Sequence, residues 1–128
     1  MSQLVYPELS YKIVGILFEV HNRLGGGFEE KYYQRAIEQL FKKNNVTFKR
    51  ELKADIFFED DKIGKYFLDF LVEDKIIVEL KTVPCLLPIH FKQVRSYLKV
   101  KKLELGILAN LRGDHVTYKR ILNANLSE

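Results

Sequence analysis

Asp69, Glu79 and Lys81 are the residues of this chain whose types and spacing could do chemistry. They lie within Tyr66–Lys81, two apolar runs rich in Val, Ile, Phe and Tyr, joined by the polar cluster Glu73-Asp74-Lys75. That pattern predicts a β-hairpin. Side chains alternate between the faces of a strand, so Glu79 and Lys81 point the same way. A hairpin pivoting on Asp74 puts Asp69 directly opposite Glu79, on the same face. At an effective dielectric of about 20, two carboxylates about 4–5 Å apart repel by roughly 3–4 kcal/mol. Lys81 can offset part of this, and a bound divalent cation such as Mg²⁺ can offset all of it, because hard cations take carboxylate oxygens. The plainer reading is a hairpin whose charges face water. Another is a buried ion-pair network with no chemistry.

The surrounding residues bear on that choice. Phe67 and Leu71 share the expected Asp69 face, and Ile77 the Glu79 face. Tyr66, Leu68, Phe70, Ile76, Val78 and Leu80 fill the other. Strands apolar on both sides are central and covered by helices. Charges buried there are paired or metal-bound.

The elements that must position these residues follow from periodicity and breakers. Residues 1–7 read as a short lead-in. Leu9, Ile13, Ile16, Leu17, Val20 and Leu24 repeat at the 3.6 period and predict a helix from Glu8 to Leu24. His21 falls beside that stripe and reads as a packed histidine. Gly25-Gly26-Gly27 ends the helix. No Lys-Ser/Thr follows it, so it is not a phosphate loop and instead sets the angle between two helices. A second helix is predicted from Glu29 to Lys43, striped by Tyr33, Ile37, Leu40 and Phe41. Glu30 lies on its inward stripe and could add a third carboxylate, although an acid in a first turn is also favoured by the helix dipole.

A strand from Thr47 to Phe58, poorly alternating at Lys49-Arg50-Glu51, is expected at a sheet edge; a turn at Glu59–Lys62 leads into the hairpin. Thr82–Pro88 is a loop, and Pro88 opens a helix to Val100. His90, Gln93 and Tyr97 share one side of that helix, flanked by Lys92, Arg95 and Lys99. Leu103–Asn110 and His115–Leu122 are predicted strands around a turn at Leu111–Asp114. The order α-α-β-β-β-α-β-β implies a mixed sheet flanked by helices, with the third and fourth strands parallel and joined by a right-handed crossover.

Composition narrows the classes. The 128 residues, 47% hydrophobic and 30% charged, suit one globular domain. No apolar run reaches the roughly 20 residues of a membrane span, and the N-terminus lacks a basic-then-apolar signal. The lone Cys85 excludes an intrachain disulfide framework and suits a reducing cytoplasm. The net charge is +4, yet Lys81–Ile121 holds nine Lys/Arg against two acids, a local +7. A basic segment beside acidic metal ligands suits an enzyme acting on a polyanion, and also an ordinary solvated helix face.

Asp69 followed by Glu79-Leu80-Lys81 at a hairpin end resembles the PD-(D/E)xK nuclease superfamily. Glu30 in the earlier helix adds to this. So do Gln93 and Tyr97, which look like the Gln-x-x-x-Tyr motif of its exonuclease-like branch. More closely, Gly27, Glu30 and Tyr33, with Phe18–Gly25 before them, resemble the small bacterial GxxExxY family. The likeness runs from about Leu9 to Leu122; Leu68 stands where the superfamily name has proline. It implies a restriction-endonuclease-like α/β fold and Mg²⁺-dependent cleavage of nucleic acid, with DNA the expected substrate and Mn²⁺ a substitute for Mg²⁺. By position it implies that Asp69 and Glu79 hold the metal and Glu30 completes the acidic cluster directly or through water. Lys81 orients or deprotonates water and stabilises the phosphate. Gln93 and Tyr97, with Lys92 and Arg95 beside them, contact nucleic acid or brace the site. A chain this small has little room for a target-recognition region, so a homodimer or a partner subunit is expected. The alternative is a non-catalytic nucleic-acid-binding or protein-interaction module on the same fold.

Overall fold

The computed structural model describes residues 5–124; most of the predicted lead-in, residues 1–4, lies outside the described residues. The elements come in the expected order. They are α1 (Pro7–Leu24), α2 (Glu30–Lys43), β1 (Phe48–Phe58), β2 (Asp61–Val72), β3 (Ile76–Lys81), α3 (Pro88–Lys101), β4 (Leu105–Asn110) and β5 (Thr117–Leu122). The five strands form one sheet in the order β1-β2-β3-β4-β5. β3 and β4 are parallel and every other neighbouring pair is antiparallel. β1 is an edge strand, as its poor alternation predicted. Lys62, assigned to a turn from sequence, belongs to β2.

Both faces of the sheet are covered. Phe70, Val72, Ile76, Val78 and Leu80 pack with Ile13, Leu17, Ile37 and Phe41 of α1 and α2. Leu68, Ile77 and Leu108 pack with Val94, Tyr97 and Leu98 of α3. Each face therefore buries a contiguous apolar layer, and in β3 and β4 only Glu79, Lys81 and Asn110 are polar.

The β2–β3 turn falls at Glu73–Lys75, as its sequence suggests. Glu73 and Asp74 both take left-handed φ, 54° and 55°, and Lys75 N–H donates to Val72 O at 2.9 Å. With Val72 paired to Ile76, the loop is the three residues Glu73–Lys75, and two of them take the left-handed φ that Asn or Gly more often supplies. Here the Glu73 carboxylate accepts from the Thr47 N–H at 2.9 Å and from its hydroxyl, tying the turn to the start of β1.

One expectation about the faces is corrected. A uniform pleat would put Leu68 and Phe70 on the same side, but Leu68 joins the α3 layer and Phe70 the α1–α2 layer. The β1–β2 ladder skips the Glu51/Asp69 position, and Glu51 has φ 54°. The ribbon rolls over at that point, so Phe48 faces α2 while Leu52, four residues along, faces α3. The irregularity re-aims side chains, as bulges beside functional sites do. It also leaves Phe67 51% exposed beside Asp69.

Candidate metal and phosphate site

β2 and β3 pair as Val72↔Ile76, Leu71↔Ile77 and Phe70↔Val78, the register that a hairpin pivoting on Asp74 requires. The next step brings Asp69 and Glu79 together, and there the side chains take over from the backbone ladder. Asp69 N–H donates to Glu79 Oε1 at 3.0 Å, and Leu80 N–H donates to Asp69 Oδ2 at 2.7 Å. Two carboxylates thus satisfy amide groups that separating strands would leave unpaired in the interior. Asp69 is 9% and Glu79 4% exposed. Lys81 Nζ lies 3.2 Å from Glu79 Oε2, so the lysine points as the alternation predicted.

The charges are crowded. Burial, then the charge of Asp69, pushes Glu79 up to about 8, while Lys81 pulls it down. Burial also raises Asp69, against the opposing pull of the Leu80 amide, Glu79, Lys81 and Arg50. Glu30, at the first position of α2, is raised to about 7 by burial and then by Asp69, again opposed by Lys81. Burial is the main reason these carboxyls hold their protons above the usual range, and Lys81 offsets it only in part. The donor set of two buried carboxylates, with a third beside them, fits a hard divalent cation.

Among the described residues no three His, Cys, Asp or Glu side chains form a ready-made metal cage. Glu30 meets Asp69 through an intermediary: Gln34 Nε2 donates to Asp69 Oδ1 at 2.7 Å and to Glu30 Oε2 at 3.1 Å. A cation held by Asp69 and Glu79 and otherwise by water and phosphate oxygens agrees with this, since Mg²⁺ usually binds through one or two carboxylates and keeps several waters.

Sequence reasoning overlooked Gln34 and Arg50. Arg50 Nη2 donates to Gln34 Oε1 at 3.4 Å, and Arg50 Nε donates to the Asp69 carbonyl at 3.2 Å. Arg50 is itself held by Glu38 at 3.3 Å and lies over the Phe70 ring, 4.6 Å from its centroid. The signal available was spacing: Glu30, Gln34 and Glu38 recur every fourth residue on one face of α2. Glu30, Gln34, Arg50, Phe67 and Asp69 line a cleft of about 310 Å³.

The glycine segment has a structural task. Tyr33 donates its hydroxyl to Gly25 O at 2.6 Å and accepts from Phe28 N–H at 3.3 Å. Gly27 has φ +95°, in the left-handed region that favours glycine. A Cβ on Gly26 would stand 2.6 and 2.7 Å from the carbonyl oxygens of Arg112 and Gly113. His21, buried, has Nε2 2.8 Å from Gly113 O and its ring stacked on Tyr33. Gly27, Glu30 and Tyr33 therefore work together, because the loop and the tyrosine fix where α2 begins and so where Glu30 points.

The predicted α3 residues divide. Lys92 and Arg95 are exposed on its outer face. Tyr97 is 6% exposed, its ring within the α3-side core. Gln93 is half-buried, and its carbonyl accepts from the Tyr66 hydroxyl at 2.9 Å. His90 Nδ1 accepts from Leu87 N–H at 2.9 Å; burial and then Lys81 lower its pKa, which puts the first turn of α3 beside the site.

The arrangement defines a class: a restriction-endonuclease-like α/β fold with an acidic pair and a lysine where the central hairpin opens. The family model described as the PD-(D/E)XK nuclease superfamily matches residues 7–121, and the chain belongs to that superfamily. Among solved structures, the chain is similar to one titled "Crystal structure of SSO0001", with a TM-score of 0.55 and 20% identity. The match covers 91% of this chain and 59% of that one, so this chain spans less than two thirds of its length. No curated protein matches the sequence. No helix among the described residues is long and apolar enough to cross a membrane.

Proposed function

We propose that this chain is a Mg²⁺-dependent nuclease, with Mn²⁺ able to substitute, that hydrolyses phosphodiester bonds of DNA. The observation that carries the reading is the buried Asp69–Glu79 pair with Lys81 Nζ 3.2 Å from Glu79. Asp69 and Glu79 would hold the cation. When bound, it polarises the phosphate and supplies a nucleophile near neutral pH. Lys81 orients or deprotonates the attacking water and places positive charge where negative charge grows on phosphorus. The water oxygen bonds to phosphorus, the ester P–O bond breaks, and the leaving oxygen takes a proton. Glu30 completes the acidic cluster through Gln34 or water. Lys92 and Arg95 would meet the phosphate backbone, Gln93 would line its approach, and the buried Tyr97 would brace α3. In this reading residues 1–128 are one nuclease-like domain of the GxxExxY subfamily, cytoplasmic, working as a homodimer or with a partner subunit.

The test is incubation of the purified protein with linear, circular and branched DNA, and with RNA, in Mg²⁺, Mn²⁺ or EDTA. Cleavage that needs the metal and disappears in Glu79→Ala and Lys81→Ala supports the reading. Cleavage unchanged in Lys81→Ala contradicts the role of the lysine. The exposed Lys92 and Arg95 on α3 also support a second reading, a non-catalytic nucleic-acid-binding or protein-interaction module on the same fold. In its nucleic-acid-binding form that reading predicts salt-dependent DNA retention without cleavage.

A further inference from the structure

We propose that Gln34, aimed by Arg50, is a positioning residue that joins the α2 and β2 carboxylates into one cation-binding unit. The proposal rests on the metal-dependent reading above and adds residues that no motif in the chain marks.

A free glutamine amide can turn either way, presenting oxygen or nitrogen to a neighbour. Here the direction is fixed. Arg50 has donors only, so its Nη2, 3.4 Å from Gln34 Oε1, holds the oxygen toward the guanidinium. The amide nitrogen is then turned to Asp69 Oδ1 at 2.7 Å and Glu30 Oε2 at 3.1 Å. One –NH₂ group has two hydrogens, and each meets one carboxylate. Arg50 cannot drift, because Glu38 takes its Nη1 at 3.3 Å, the Asp69 carbonyl takes its Nε at 3.2 Å, and the Phe70 ring supports its plane. Lysine at position 50 would keep the charge but lose this fork.

Glu30 and Asp69 come from different elements and have no covalent reason to stay in register. Without Gln34 they would share a half-buried space as like charges and separate. With it, one oxygen of each is oriented. Asp69 Oδ2 is meanwhile fixed by the Leu80 amide, so both oxygens of that carboxylate are oriented before any cation arrives. Such partners of ligating groups commonly set metal affinity, and their loss costs about 10–100-fold.

The experiment measures Mn²⁺ binding by calorimetry and by loss of the free-ion electron paramagnetic resonance signal, for wild type, Gln34→Met, Arg50→Lys and Asp69→Asn. Methionine keeps the length and helix preference of glutamine without its donors. Thermal melts in EDTA check that each variant is folded. The expected result is roughly 10–100-fold weaker Mn²⁺ binding in Gln34→Met, a smaller loss in Arg50→Lys, and no detectable Mn²⁺ binding in Asp69→Asn. In cleavage assays Gln34→Met should need more Mn²⁺ for half-maximal rate yet approach the wild-type kcat when saturated, a split that a merely structural role would not give. Wild-type affinity in a folded Gln34→Met overturns this inference alone. No Mn²⁺ binding by the wild type overturns the parent reading and this inference with it.

Discussion

Replacing Glu79 with glutamine should flatten the pH dependence of folding stability in the metal-free protein. Glu79 titrates at about 8 in the folded chain, because burial and the Asp69 charge outweigh Lys81. In the unfolded chain a glutamic acid titrates at about 4.3. The folded state therefore holds the extra proton between those values. By linkage, the stability this gives is fully present below the unfolded pKa and is lost as pH rises through the folded one. Each pKa unit is worth about 1.4 kcal/mol, so the ceiling is about 5 kcal/mol. Because Asp69 shares the titration and an effective dielectric near 20 softens the repulsion, a loss of about 2–4 kcal/mol is expected from pH 5 to pH 9. For a chain this size that is roughly 8–15 °C in Tm. The assay is thermal unfolding by circular dichroism in EDTA across that range, for wild type and Glu79→Gln. Groups away from the site titrate alike in both proteins, so the difference between the two curves isolates the coupled Glu79–Asp69 pair. The wild type should fall with pH and Glu79→Gln should fall much less; Glu30, more exposed, leaves a smaller residual slope. Saturating Mg²⁺ should restore the wild type at high pH, by about 3 kcal/mol at one hundred times Kd, and leave Glu79→Gln unmoved. Parallel curves for the two proteins in EDTA would refute the reasoning.

Lys81→Met should lower kcat for cleavage by about 100–1,000-fold, the usual loss of a charge-stabilising donor, while calorimetry still records Mn²⁺ binding. Tyr33→Phe removes the hydroxyl that donates to Gly25 O and accepts from Phe28 N–H, and should cost about 1–2 kcal/mol in urea unfolding. Gly26→Ala forces its Cβ against two backbone carbonyls and should cost about 1–3 kcal/mol in the same assay, since the atoms it meets are backbone and not the end of a flexible side chain. Phe67→Ser, at an exposed position, should change stability by no more than about 0.5 kcal/mol.

The parts of the fold that could be read from the sequence are those that local rules decide. Period and breakers give the three helices and the hairpins, and the polar cluster at Glu73–Lys75 fixes the β2–β3 register from which the opposition of Asp69 and Glu79 follows. Two things escaped. The face switch at Glu51 depends on a left-handed residue that is not glycine, asparagine or aspartate, and no residue type announces it. Strict alternation therefore placed Leu68 on the wrong side. The Gln34–Arg50 link joins residues 16 apart through side chains whose directions depend on how α2 lies over β1 and β2. Spacing offered only that Gln34 follows Glu30 by one helical turn.

The face switch and the acidic pair have one cause. A β-ladder that continued past Phe70 would pair the Asp69 and Glu79 backbones and leave their carboxylates to repel across a flat sheet. Instead the β1–β2 ribbon rolls over at Glu51 and Asp69, β2 leaves β3, and the amides so freed are the donors that the two carboxylates take. The charged residues are thus tolerated in the interior because the sheet opens where they stand, and the opening exposes the cleft that α2 closes with Glu30 and Gln34. On this view the backbone break, the buried acids and the Gln34 amide are one construction. An Asp69→Leu variant tests that: Glu79 keeps the backbone N–H of residue 69 and Lys81, but the Leu80 amide loses its acceptor, so the variant should cost roughly the 1–3 kcal/mol of one unsatisfied buried group despite adding apolar volume.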